Sequence, residues 1–231
     1  MTRSIASELL LLALDDEKGK PLVDGSTLNA ALAGTAVVEL VAAGALDLQL
    51  DDGGEVEPGR LRRTGVARPA DELLGEVVDT CHGKKPEGAV GALTTMTFRD
   101  RGAKLREQLL AELVADGVLT HERGKVLGLF PTDRWPEVDP TVEQEIRSRV
   151  RAVLVDGAQP DRRTATLVSM LSVTKLAPKL FPDVDRAQLQ ARADAVRAGD
   201  WAGGAVAKAL DELIAVMMVA VFVPTIVSTS S

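Results

Sequence analysis

The chain of 231 residues has one cysteine, two histidines, no tyrosine and 3% aromatic residues. Each scarcity closes off a class of function. A lone Cys81 makes no internal disulfide, which excludes a disulfide-stapled secreted module. One cysteine and two histidines fall short of the four nitrogen and sulfur ligands of a structural zinc site. No metal and no other cofactor is expected. So few rings leave no stacking platform for single-stranded nucleic acid. No Gly-rich phosphate loop of the Walker or dinucleotide type is present. Long apolar runs are missing as well. Leu9–Leu14 stops at Asp15, and the eleven apolar residues Leu213–Val223 stop at Pro224, whereas a membrane-spanning helix needs about 18 or more. The first run is also too short for a secretory signal, so a cytoplasmic protein is expected.

What is present is ordinary for a globular chain: 45% apolar and 26% charged residues. Acids outnumber bases, 34 against 27, for a net charge of −7. That balance argues against a general nucleic-acid binder. The length allows one large domain or two small ones; a single domain over 1–231 is expected.

Helical periodicity dominates. Leu28, Leu32, Ala36 and Leu40 recur every four residues after Ser26, a good N-cap. Leu105, Leu109, Leu110 and Leu113 mark a second amphipathic helix, and Val142, Ile146, Val150, Val153 and Leu154 a third. Asp139-Pro140 opens the third, because proline in the first turn loses no hydrogen bond. Glu143–Arg147 and Glu145–Arg149 are spaced as favourable i,i+4 pairs. Pro160-Asp161 opens a helix carrying Leu167, Met170 and Leu171, and Asp183 is the expected cap of one running through Arg197. Leu213–Val223 is apolar on all sides, as a helix surrounded by other helices would be.

Glu39–Leu46 and Glu112–Leu119 echo each other: ELVAAGAL and ELVADGVL. Both end a helix at glycine, which takes the left-handed C′ position without a Cβ clash. Hairpin signals follow both. The first is LDLQL, a turn at Asp51–Gly54 and then EVEPGRLRR; the second is VLTHE, a turn at Arg123-Gly124 and then KVLGLF. A helix followed by a two-stranded wing suits a winged-helix DNA binder, the lesser alternative: 26–43 carries neither lysine nor arginine to read bases, whereas the second helix, opening FRDRGAKLREQ, is richer in them. The expected fold is therefore mainly α: buried apolar central helices, amphipathic helices around them and two short β-hairpins.

The succession SELLLLALDDEKGK, AGTAVVELVAAGALDL, ELVADGVLT with its hairpin, then DRRTATLVSML, resembles the Golgi phosphoprotein 3 family from about Ser7 to Val223. The Ala-, Gly- and Arg-rich composition resembles its bacterial members. The resemblance implies a helical domain with a protruding hairpin and no catalytic activity. It implies a peripheral membrane protein, here at the inner face of the membrane, that binds an anionic phospholipid headgroup such as phosphatidylinositol 4-phosphate. It further implies a protein partner held by its cytosolic tail, and self-association into a homo-oligomer through the hairpin.

The family's headgroup pocket uses one tryptophan and three arginines. The tryptophan position falls at Asp24, and the arginine positions at Ala33, Ala103 and Arg106. Arg106 is the direct match, with Arg99, Arg101 and Lys104 beside it in sequence. These four cations are the candidate anion site, since phosphate recognition needs several converging donors. In the second hairpin, Val126, Leu127, Leu129 and Phe130 beside Arg123 and Lys125 form the candidate interfacial or self-association segment. Packing on the chain's own core is the alternative. Arg60, Arg62, Arg63 and Arg68 form a basic stretch that suits either an anion surface or a charged strand edge. Asp161-Arg162-Arg163 suggests ion pairs with another segment or an anion site, while His82 and His121 read as structural and surface residues. A soluble protein-interaction module that has lost lipid binding is the competing function.

Overall fold

The computed structural model describes residues 3–50, 52–65, 68–94, 100–126 and 130–198. Two helices opening the described chain form its centre. Helix α1 (Ile5–Leu12) is buried at every residue, and Ser4 caps it by accepting the Ser7 N–H at 3.0 Å. Helix α2 (Gly25–Ala42) is long and apolar enough to cross a membrane, by length and composition. Most of it is buried instead, with Leu28, Leu32 and Val37 fully enclosed. Its cap is Asp24, whose carboxylate takes the Thr27 N–H at 2.9 Å. Ser26, the cap expected from sequence, lies inside the first turn and donates its hydroxyl to Asp24 at 2.5 Å. The carboxylate two residues earlier wins because it satisfies three donors at once.

Around this centre come α3 (Glu72–Cys81), α4 (Pro86–Leu93), α5 (Arg101–Ala115), α6 (Pro140–Leu154), α7 (Arg162–Val173), α8 (Ala177–Leu180) and α9 (Arg186–Ala198). Helices α5, α6 and α9 each bury one apolar stripe and expose a charged face. Helix α7 is buried from Thr164 through Leu171, so it belongs with the central helices. Helix α1 packs on α2, α5, α6 and α7. The buried apolar residues form one connected cluster from Ile5 to Val196. The apolar segment Leu213–Val223 lies outside the described residues.

Helix α9 is not capped by Asp183. Asp185 accepts the N–H groups of Ala187 and Gln188 at 2.9 and 3.0 Å, while Asp183 holds Arg151 at 2.8 Å. Asp139 and Asp161 open α6 and α7 as their sequence positions suggest. The charges at the core have partners. Glu8 is buried and receives Arg149 at 2.7 Å and Arg163 at 2.9 Å. Arg149 thus reaches across to α1 rather than along its own helix to Glu145, and Arg163 forms the inter-segment ion pair its position suggested.

Both hairpins are present, with altered strands. Strand β1 (Leu46–Leu48) pairs antiparallel with β2 (Leu61–Arg63). The second strand is confined to the end of EVEPGRLRR, because Pro58 has no N–H to give and Gly59 turns at φ +78°. Strand β3 (Glu122–Val126) pairs with β4 (Phe130–Arg134). Arg123 and Gly124, expected to form the turn, instead sit inside β3 opposite Asp133 and Thr132. Gly124 is absent from the positive-φ glycines, whereas a two-residue hairpin turn would need that region. The connection therefore lies between Val126 and Phe130, which are paired across the hairpin.

Candidate functional site

The first turn of α5 docks on the first turn of α2. Asp100 caps α5, taking the Ala103 N–H on Oδ1 at 2.9 Å and the Asn29 amide on Oδ2 at 3.3 Å. Gly102 makes the approach possible: a Cβ there would stand 2.7 Å from the Asn29 carbonyl oxygen. One turn further along the same face, Arg106 lies against Gly25 at the start of α2. Its Nη1 is 3.2 Å from the point a Cβ on Gly25 would occupy. Two glycines thus bring the helix bearing Arg106 against the segment beginning at Asp24.

Asp24 contributes charge as well as a cap. The Ser26 hydroxyl, then the Thr27 hydroxyl and N–H, donate to it and hold its carboxyl well below the usual carboxylate range. It is ionised at any physiological pH, next to the residue that Arg106 touches.

Of the four cations expected to converge, the three that are described take different places. Arg101 turns to α3 and pairs with Glu76 at 3.2 Å; its side chain is only 18% exposed. Lys104 is exposed. Two residues along a helix turn by about 200°, so Lys104 and Arg106 flank α5 on nearly opposite sides. Neither has a carboxylate within ion-pair distance among the described residues. Arg99 lies outside the described residues. Of the other family positions, Ala33 is buried at 2% exposure, and Ala103 is half-buried in the first turn of α5.

The basic stretch after the first hairpin is largely neutralised. Arg60 pairs with Glu57, Arg62 with Asp47, and Arg63 and Arg68 share Asp79. That is a charged strand edge held by local carboxylates. His82 caps the end of α3, its Nδ1 facing the Arg63 N–H at 3.3 Å.

The second hairpin is tied to the loop between α1 and α2. The Trp135 N–H donates to the Gly19 carbonyl at 2.9 Å, and a Cβ on Gly19 would lie 2.3 Å from the Pro136 nitrogen. His121 stacks on Trp135 with ring centroids 5.3 Å apart and faces Asp133 at 2.8 Å. The loop that holds the hairpin base at Gly19 therefore runs on, five residues later, into Asp24 and Gly25 beside Arg106. Sequence reasoning missed Gly19, Gly25 and Gly102. The visible signal was a glycine inside or at the edge of a helical pattern, which marks close backbone approach. Within the candidate hairpin segment, Val126 and Phe130 are the last strand pair before the tip; Leu127 and Leu129 lie outside the described residues.

A sequence model described as Golgi phosphoprotein 3 (GPP34) matches residues 5–213. No curated protein matches the chain.

Proposed function

The chain belongs to the Golgi phosphoprotein 3 family, and from that premise we propose that it is a non-enzymatic adaptor that docks on an anionic phospholipid surface. The observation that carries this reading is Arg106 against Gly25, with no carboxylate in ion-pair distance among the described residues, at the end of the loop that also holds the second hairpin. Arg106 and Lys104 flank the start of α5. Lying on nearly opposite sides of α5, they do not converge on one enclosed phosphate; Arg106 makes the proposed surface contact and Lys104 adds longer-range attraction to anionic headgroups. The hairpin residues Val126, Leu127, Leu129 and Phe130 are the proposed apolar element, since an interfacial anchor combines cations for the headgroups with apolar side chains for the acyl region. With a net charge of −7, the contact has to be local, and it weakens as salt screens it.

Asp24 favours a second reading, a soluble protein-interaction module. Its carboxylate stands where the family pocket has a tryptophan, and it repels phosphate. Flotation of the full chain with neutral and with anionic vesicles at low salt separates the two. The adaptor floats with the anionic vesicles and is released by added salt. A chain that stays at the bottom of both gradients is the interaction module.

A further inference from the structure

A cavity of about 550 Å³ lies between the start of α1, the C-terminal part of α2, the segment leading into α3 and the inner face of α5. That volume is within the range of small-molecule sites. Its wall is apolar, with Ala36, Leu40, Leu74, Leu105 and Leu109. Its polar lining is rich in acceptors. Glu39 takes the Ile5 N–H at 2.6 Å and the Ala6 N–H at 3.2 Å on its two oxygens, and burial pushes its carboxyl up. Gln108 donates its amide to Asp71 at 2.7 Å and to Glu112 at 3.0 Å. With that amide committed, this edge offers carboxylate lone pairs and the Gln108 carbonyl oxygen. Arg68, the cation in the lining, is held by Asp79 at 3.0 Å.

Asp71 and Glu112 against one already paired arginine set the sign of what fits. An acidic ligand would meet like charge, while a ligand bringing donors and positive charge would meet matching acceptors. We propose that this cavity binds an amphipathic cation: an apolar chain or ring bearing a protonated amine. The apolar part lies against Leu105 and Leu109, and the ammonium sits among Asp71, Glu112 and the Gln108 carbonyl. The site uses none of the residues assigned to the anionic surface, so it stands or falls separately.

The test titrates the full chain with octylammonium, octanoate and octanol, followed by calorimetry and amide NMR. Octylammonium is expected to bind about tenfold or more tighter than octanoate, the scale of a charge-assisted hydrogen bond, and to shift the amides of Ala36, Leu105 and Leu109. Ala36→Leu fills the wall and abolishes amine binding. Ala43→Trp, at an exposed position of the lining, does the same by covering it, and serves if the first variant does not fold. Glu112→Gln keeps an acceptor for Gln108, weakens the amine about tenfold and leaves octanol unchanged. The proposal is overturned by octanoate binding as tightly as the amine, by amine binding that survives the filling or covering variant, or by no amine binding at all.

Discussion

Gly102 lets α5 approach α2 so closely that a methyl group in its place would stand 2.7 Å from the Asn29 carbonyl oxygen. The neighbouring atom is backbone, so it does not move aside cheaply. Gly102→Ala is therefore expected to destabilise the fold by about 1–3 kcal/mol, the usual cost of overpacking, and to displace Arg106 with its helix. Denaturant unfolding gives the energy. A variant as stable as the parent contradicts the close approach.

The buried Glu8 holds two arginines from different helices. Replacing it with glutamine keeps the shape but leaves Arg149 and Arg163 without their counter-charge. Breaking a buried pair costs about 3–5 kcal/mol, and the partial exposure of both arginines reduces this to about 2–3 kcal/mol. Thermal and urea unfolding of Glu8→Gln should both report the loss. An unchanged midpoint contradicts the role assigned to this ion pair.

Glu137 follows the second hairpin and sits in acidic company. Burial, then the neighbouring carboxylates of Glu143 and Asp16, push it up to about 7 from an ordinary 4.5. The folded state therefore holds a proton there that the unfolded chain has released. Stability from this group is complete below about pH 4.5 and is lost as pH rises through about 7. Glu39 and Glu143, also raised by burial, act in the same direction. Melting temperature measured from pH 4.5 to 8 should fall more gently with pH in Glu137→Gln than in the parent. Identical slopes rule the assignment out.

Cys81 is fully buried and its thiol is pushed up to about 12 by that burial. Because the thiolate is the reactive form, a thiol reagent at pH 8 should label the folded chain very slowly and the unfolded chain promptly. Rapid labelling of the native protein would show that α3 does not enclose it.

The central and wrapping helices were legible because their signals are periodic. Leu28, Leu32 and Leu40, and Leu105, Leu109 and Leu113, all face the core as their spacing requires. Asp139 and Asp161 were readable as caps. Asp24 and Asp185 were not, because Ser26 and Asp183 are chemically as eligible, and the choice depends on where the backbone turns. The hairpin turn was misplaced at Arg123-Gly124 for a similar reason: glycine signals a turn locally, while strand pairing with Asp133 and Thr132 is decided by partners eight to ten residues away. At the candidate site, Arg106 was found through the family resemblance. Its neighbour Gly25, the diversion of Arg101 to Glu76 and the tie between Gly19 and Trp135 are tertiary contacts that no local pattern encodes.

The charge at Asp24 gives the anionic-surface reading a sharp handle. Asp24→Asn keeps a residue that caps helices well and removes a negative charge next to Gly25. Vesicle association is expected to strengthen, with the melting temperature changed by the equivalent of less than about 1 kcal/mol. Weaker association from this variant runs against the proposed geometry.

The most direct measurement compares the parent with the double variant Lys104→Ala/Arg106→Ala in flotation with anionic vesicles at low salt. Neither side chain has a carboxylate partner among the described residues, so the double variant should fold as the parent does. The account predicts that the parent floats and the folded double variant does not. A parent that fails to float, or a double variant that floats equally well, contradicts it.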